Sequence, residues 1–193
     1  MSEIDVRDQI VESATKFFSK FGFYKTTMDE IARHIHKAKG VLYYYFKSKE
    51  ELFNEVLRRE LGTVKSELSK ILAGEADSIV IMRAYTLARF KLLHKAVNYH
   101  ETLKADFFEK YYFVKDVRDD FSDFERNQLS TLLQRGMDEG FFEITNVDSS
   151  VNILMMIMNG VEIPFFLQNK YPEYENTLDE LASIIMVGLH SKK

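Results

Sequence analysis

The stretch TMDEIARHIHKAKGVLYYYFKSKEEL, from Thr27 to Leu52, decides the fold. Thr27 and Glu30 stand in the T-x-x-E spacing of a capping box, which satisfies free N–H groups at a helix start. Met28, Ile31, Ala32 and Ile35 follow at helical spacing, so this helix has one buried and one solvated face. The pattern breaks at His36-Lys37-Ala38 and resumes with Leu42, Tyr45 and Phe46. Ser48 and Glu51 repeat the capping spacing and open a longer helix. Two short helices with this turn between them predict a helix-turn-helix, whose second helix lies in the DNA major groove.

Charge points the same way. Arg33, Lys37, Lys39, Lys47 and Lys49 carry positive charge, and no acidic residue interrupts them between positions 33 and 49. The whole chain holds 26 Lys and Arg against 30 Asp and Glu, so the basic charge is local to an otherwise anionic protein. A short basic run alone is usually a solvated face. Joined to a helix-turn-helix it becomes the electrostatic footprint of a phosphate backbone.

The run IARHIHKAKGVLYYYFKSKEEL closely resembles the DNA-binding segment of the tetracycline-repressor (TetR) family of bacterial regulators. Lys39-Gly40, Leu42-Tyr43, Tyr45-Phe46 and Lys49-Glu50 fall in register with the family's Lys-Gly-x-Leu-Tyr-x-Tyr-Phe helix and the Lys-Glu-x-Leu opening of its next helix. The resemblance implies that Thr27, Tyr43 and Lys49 hold DNA phosphates. It further implies that Lys39, Gly40 and Tyr44 lie in or against the major groove, with Gly40 permitting close approach of the backbone. Val41 suits a thymine methyl, and Leu42, Tyr45 and Phe46 suit packing. Where the family usually has Gly-Val-Ser at the turn, this chain has His36-Lys37-Ala38. Histidine visits the left-handed region that glycine favours more readily than most residues do. Ala38 lacks the hydroxyl that would cap the recognition helix, and Lys37 offers a charge contact in its place.

At 193 residues the chain can bury a substantial core in one or two domains. It has no cysteine, which excludes a disulfide framework and a cysteine-based metal site. The opening MSEIDVRDQI carries both signs of charge and no apolar signal segment, so a cytoplasmic protein is expected. The apolar run Val151 to Leu167 is broken by Asn152, Asn159, Gly160, Glu162 and Pro164, and reads as a buried helix rather than a membrane span.

Helical periodicity dominates the remainder. A first helix is expected from about Asp5 to Phe21, with Ile10, Ala14, Phe17, Phe18 and Phe21 inward and Gly22 at its end. The helix after Ser48 carries Leu52, Phe53, Val56, Leu57 and Leu61 and ends near Gly74. Further helices are expected over Ser78 to Tyr99, Glu101 to Phe113, Ser122 to Glu139, Asp148 to Gln168, and from a Thr177–Glu180 capping box to the C-terminus. The fold class is therefore all-α. With the resemblance, residues 1–48 are expected to form a three-helix DNA-binding unit, and residues 49–193 a larger helical ligand-binding and dimerisation domain. Asp148 to Gln168 is apolar almost all round and needs cover on every side. Ile184 and Gly188 lie off the main stripe of the last helix. A fully buried monomer core satisfies the same pattern. The resemblance implies instead a homodimer formed through the last two helices, reading two half-sites of a palindrome.

Aromatic residues crowd the middle of the chain, where the resemblance implies an inducer pocket. Phe90 and His94 are one turn apart, as are Phe107 and Tyr111, and Met155, Met158 and Asn159 could close the opposite side. Each of them also suits an ordinary core. The five histidines lack metal-ligand spacing, and no phosphate-binding glycine loop or nucleophile elbow appears, so neither a metal, a cofactor nor an enzyme is expected. The reading is a dimeric, sequence-specific DNA-binding regulator, in most of the resembling family a repressor, released from a palindromic operator by a small-molecule effector. Effector release would follow from tilting the fourth helix, which changes the spacing of the recognition helices. A sensor or interaction module that keeps the fold but not DNA reading is one alternative, supported by the altered turn. A helical enzyme using the central pocket is another, distinguished by turnover of a bound ligand.

Overall fold

The computed structural model describes residues 3–104 and 112–189, and these are all-α apart from turns and one isolated bridge. The chain divides into two compact units, residues 1–62 with 96–118, and residues 63–95 with 119–193.

In the first unit, α1 (Glu3–Lys25) buries Ile10, Val11, Ala14 and Phe18. Gly22 does not end this helix but breaks it, at φ 80° and ψ 166°, a conformation that favours glycine. The break turns Phe23 inward and leaves Phe21 exposed, contrary to its expected inward place. Thr26, itself buried, donates its hydroxyl to the carbonyls of Phe17 and Gly22 and so closes the end of α1. Next come α2 (Met28–His34), α3 (Lys39–Tyr45) and α4 (Lys49–Leu72). Met28, Ile31, Ala32, Leu42, Phe46, Leu52, Phe53, Val56 and Leu57 fill the core between them. Phe18 and Phe23 both lie 5.0 Å from Phe53, ring centre to ring centre.

The expected helix over Ser78 to Tyr99 is two helices, α5 (Ser78–Lys95) and α6 (Val97–Glu101). The cause is Glu60 on α4. Its carboxylate accepts the backbone N–H groups of Asn98 and Tyr99 at the new helix start, the second shared with Ala96 O, where a continuous helix would have used carbonyls four residues back. Asn98 Nδ2 also donates to Glu60, and to Ser19 Oγ and Thr15 O on α1. Burial raises the Glu60 pKa, with the hydrogen bonds from Asn98 and Tyr99 opposing. Of the expected Glu101-to-Phe113 helix, residues 105–111 lie outside the described residues. Tyr112–Val114 is a 3-10 turn that leads into α7 (Lys115–Asp138), which begins seven residues earlier than expected.

In the second unit, α5 buries Ile81, Met82, Tyr85, Arg89, Phe90 and Leu93. α7 adds Phe121, Leu129, Leu132 and Leu133, and stops at Gly140, which has φ 77°. α8 (Val147–Gly160) is capped by Asn146, whose side chain accepts from Ser149 N, two residues before Asp148, the expected start of the helix. The helix ends at Gly160, and a π turn follows over Ile163–Leu167. By length and composition alone Val147–Leu167 could cross a membrane. Within it, however, Glu162 is buried on Arg89 of α5, as a packed protein element would be. Only one face of α8 is covered, by Val151, Leu154, Met155 and Met158. A short helix α9 (Tyr171–Tyr174) and a 3-10 turn precede α10 (Leu178–Leu189), which packs on α5. Thr177 donates its hydroxyl back to Tyr174 O, and among the described residues the bonds of the expected Thr177–Glu180 box are not made.

Candidate nucleic-acid interface

The capping box at the start of α2 is present in full. Thr27 Oγ1 accepts from Glu30 N at 3.3 Å, and Glu30 Oε2 accepts from Thr27 N at 2.9 Å. The Thr27 side chain, then its backbone N–H, holds the Glu30 carboxyl below its usual range. α2 ends in a Schellman motif. His36 N donates to Arg33 O at 3.1 Å and Lys37 N to Ala32 O at 3.0 Å, with His36 at φ 54°. The histidine thus takes the left-handed place that glycine usually fills, and the altered turn has standard helix-ending geometry. Ala38 begins α3 with no side-chain cap. At the start of α4 the box is offset by one residue. Ser48 Oγ accepts from Glu51 N, but the Glu51 carboxylate accepts from Lys47 N.

α3 turns Leu42 into the core, with Phe46 just beyond it, and turns Tyr43, Tyr44 and Gly40 outward; Tyr44 is 74% exposed. A side chain at Gly40 would meet no protein atom within 4 Å, so the fold itself does not demand glycine there. Val41 and Lys37 are half-buried. Lys39 Nζ lies 3.1 Å from Asp29 Oδ1 on α2 and 5.8 Å from the centre of the Tyr43 ring. Lys49 is turned towards the protein. Its ammonium donates to Phe23 O at 2.9 Å and Thr26 O at 3.2 Å and lies 4.3 Å from the Phe23 ring centre. Burial lowers its pKa, with Glu50 opposing. An ammonium has three N–H groups, so this one ties α1 to α4 while keeping one donor for a further acceptor. Sequence reasoning missed Asp29, whose only signal was its position one helical step before the basic run.

In the second unit the expected effector residues divide. Phe90 meets the Phe165 ring edge-on at 5.5 Å, and His94 stacks on Tyr171 at 4.0 Å, so both join one aromatic cluster. Met155 and Met158 are buried. Asn159 Oδ1 accepts from Arg89 Nη2 at 3.0 Å. Phe107 and Tyr111 lie outside the described residues. Sequence reasoning missed the polar group at the centre of this unit. Arg89 pairs with Glu125 in bidentate fashion through one guanidinium edge, Nε and Nη2, and Nη2 also donates to Glu162 at 2.7 Å, all three side chains being almost wholly buried. Burial raises the Glu125 pKa, and Arg89 opposes the rise. Among the described residues no group of His, Cys, Asp or Glu could hold a metal ion.

Residues 10–56 match the model of the bacterial regulatory proteins of the tetR family. The chain is 41% identical over 69 residues to YhgD of Bacillus subtilis, an uncharacterised helix-turn-helix transcriptional regulator, a match covering 36% of each chain. That is about a third of this relative's length. It is 24% identical over 191 residues to the transcriptional regulator QacR of Staphylococcus aureus, covering 96% of this chain and 99% of QacR. Its fold matches that of a transcriptional regulator from Saccharomonospora viridis in complex with choline, with TM-score 0.84, 16% identity, and coverage of 98% and 100%. The likeness to the tetR family of bacterial regulatory proteins thus lies in the N-terminal quarter of the chain. The family match takes in α2, α3 and the turn at His36, the elements that carry the outward-facing residues above.

Proposed function

We propose that this protein is a homodimeric repressor, released from a palindromic DNA operator by a small-molecule effector. The observation that carries the reading is the outward face of α3. Leu42 and Phe46 fix it from behind, and Gly40, Tyr43 and Tyr44 stand in solvent beside Lys37 and Lys39. In this reading residues 1–48 are the DNA-reading domain and residues 49–193 serve ligand binding and dimerisation. Thr27, Lys37, Tyr43 and the spare donor of Lys49 hold phosphates, while Lys39, Gly40, Val41 and Tyr44 face base edges.

Two further features support the dimer and the effector. Met156 on α8 and Ile184 and Val187 on α10 are 74%, 62% and 78% exposed, a large apolar display for one chain in water. A groove of about 260 Å³ runs between α8 and α10, lined by Ile153, Ile157, Leu181 and Ile184 among others. The aromatic cluster around Phe90 and His94, with Met155, Met158 and Asn159 near the Arg89 group, supplies the apolar walls and few polar groups of a small-molecule site. Phe107 and Tyr111, which lie outside the described residues, remain candidates for effector contact from the sequence alone. The S. viridis relative binds choline, and this reading assigns a small organic ligand, without a more specific identity, to the same unit. The effector acts by binding the arrangement without DNA more tightly than the DNA-bound one, because equal affinity shifts nothing. The protein acts in the cytoplasm, without metal or cofactor, and is not an enzyme.

Selection of random duplex DNA by the purified protein at near-physiological salt tests the reading. Enrichment of a palindrome with two short half-sites is expected. Weak binding without an enriched motif would instead make the protein a sensor or interaction module that keeps the fold alone.

A further inference from the structure

We propose that Asp29 is the residue that sets DNA discrimination, by holding the Lys39 ammonium so that it donates to a neutral base edge more readily than to a phosphate. The inference rests on the DNA-reading role of α3. Lys39 is the one charged residue in α3, whose sequence is KGVLYYY. Its Nζ lies 3.1 Å from Asp29 Oδ1 and 3.1 Å from Oδ2, and the two side chains are 53% and 54% exposed. An ion pair this exposed stabilises the fold little, so it is a contact that DNA can modify.

The two kinds of DNA acceptor meet this pair differently. A phosphate brought to Lys39 also meets the Asp29 carboxylate, a like charge within the same few ångströms, so the pair opposes non-specific backbone binding. Guanine O6 and N7 form an uncharged double acceptor in the major groove. The ammonium has three N–H groups and can give two to guanine while keeping one on Asp29. The carboxylate then aims the lysine and is not left unpaired. Asp29 therefore acts through Lys39 as a positioning residue, and each half-site should contain a guanine under Lys39.

The test compares the wild type with Asp29→Asn, Asp29→Glu and Lys39→Ala, each checked for an unchanged helical melt. Affinity is measured for the selected operator and for a random duplex over a range of salt. Asp29→Asn should tighten random-duplex binding about threefold to tenfold and steepen its salt slope by about 0.9, the value of one added phosphate contact. Operator binding should change less, so discrimination falls, and Asp29→Glu should restore it. A random-duplex affinity and slope unchanged in Asp29→Asn would overturn the proposal, as would equal losses on both DNAs. If selection yields no operator, the regulator reading fails by itself, while the random-duplex arm still decides the role of Asp29.

Discussion

His36 holds a conformation that costs a residue with a Cβ about 1–2 kcal/mol relative to right-handed backbone. It stays there because the two Schellman hydrogen bonds from His36 N and Lys37 N end α2 at the place where α3 must begin. His36→Gly removes that strain but adds about 0.5–1 kcal/mol of unfolded-state freedom. Thermal melts should therefore show a small gain, up to about 1 kcal/mol, and His36→Val a loss, since β-branched residues suit this region worst. A destabilised glycine variant would mean that the imidazole makes a contact outweighing the backbone strain. Glu139 offers a test of opposite character. It accepts Ser78 N at 2.7 Å, capping α5, and Arg135 Nε at 2.7 Å. These bonds, that from Ser78 foremost, hold its pKa at about 2. A carboxyl depressed in the folded state stabilises the fold above its unfolded pKa, and that contribution is lost as pH falls towards 2. The stability gap between wild type and Glu139→Gln should thus close between about pH 5 and pH 2. A gap independent of pH would show that the charge is not what holds α5.

At the scale of elements, tight packing makes the sharpest forecast. A methyl group on Gly136 of α7 would lie 1.9 Å from Cδ2 of Phe142, inside its ring. Gly136→Ala should destabilise the protein by about 1–3 kcal/mol, and combining it with Phe142→Leu should recover part of the loss. Chemical denaturation of both variants reads this, and an additive pair would show that the two residues do not press on each other. The elements that sequence made legible are those whose causes are local. The Thr27–Glu30 box, the stripe of α2, the left-handed His36 and the uncapped Ala38 all follow from residues within a turn of one another. What sequence hid depends on distant partners. Nothing near Ala96 announces that Glu60 will take the N–H groups of Asn98 and Tyr99 and split a helix in two. Lys49 looks like a surface cation, and only the fold brings it the carbonyls of Phe23 and Thr26, acceptors that every residue carries. Arg89 has the same history, since Glu125 and Glu162 lie 36 and 73 positions away.

For the whole molecule the decisive quantity is its state of association. If α8 and α10 meet their counterparts in a second copy, Ile184→Glu places a charge in the buried seam. Sedimentation should then give a monomer where the wild type gives a dimer, and the wild-type melting temperature should rise with protein concentration. A dimer that survives the substitution would move the interface elsewhere. The buried Arg89 group bears on the whole molecule over a longer span of time. Losing one partner from such a group typically costs about 3–5 kcal/mol, whereas exchanging all partners for apolar residues is often neutral or better. A total stability of about 5–15 kcal/mol leaves little margin for the first of these. Both ends of the route are habitable and the single steps between them are not, so descent should keep Arg89, Glu125 and Glu162 together or abandon them together.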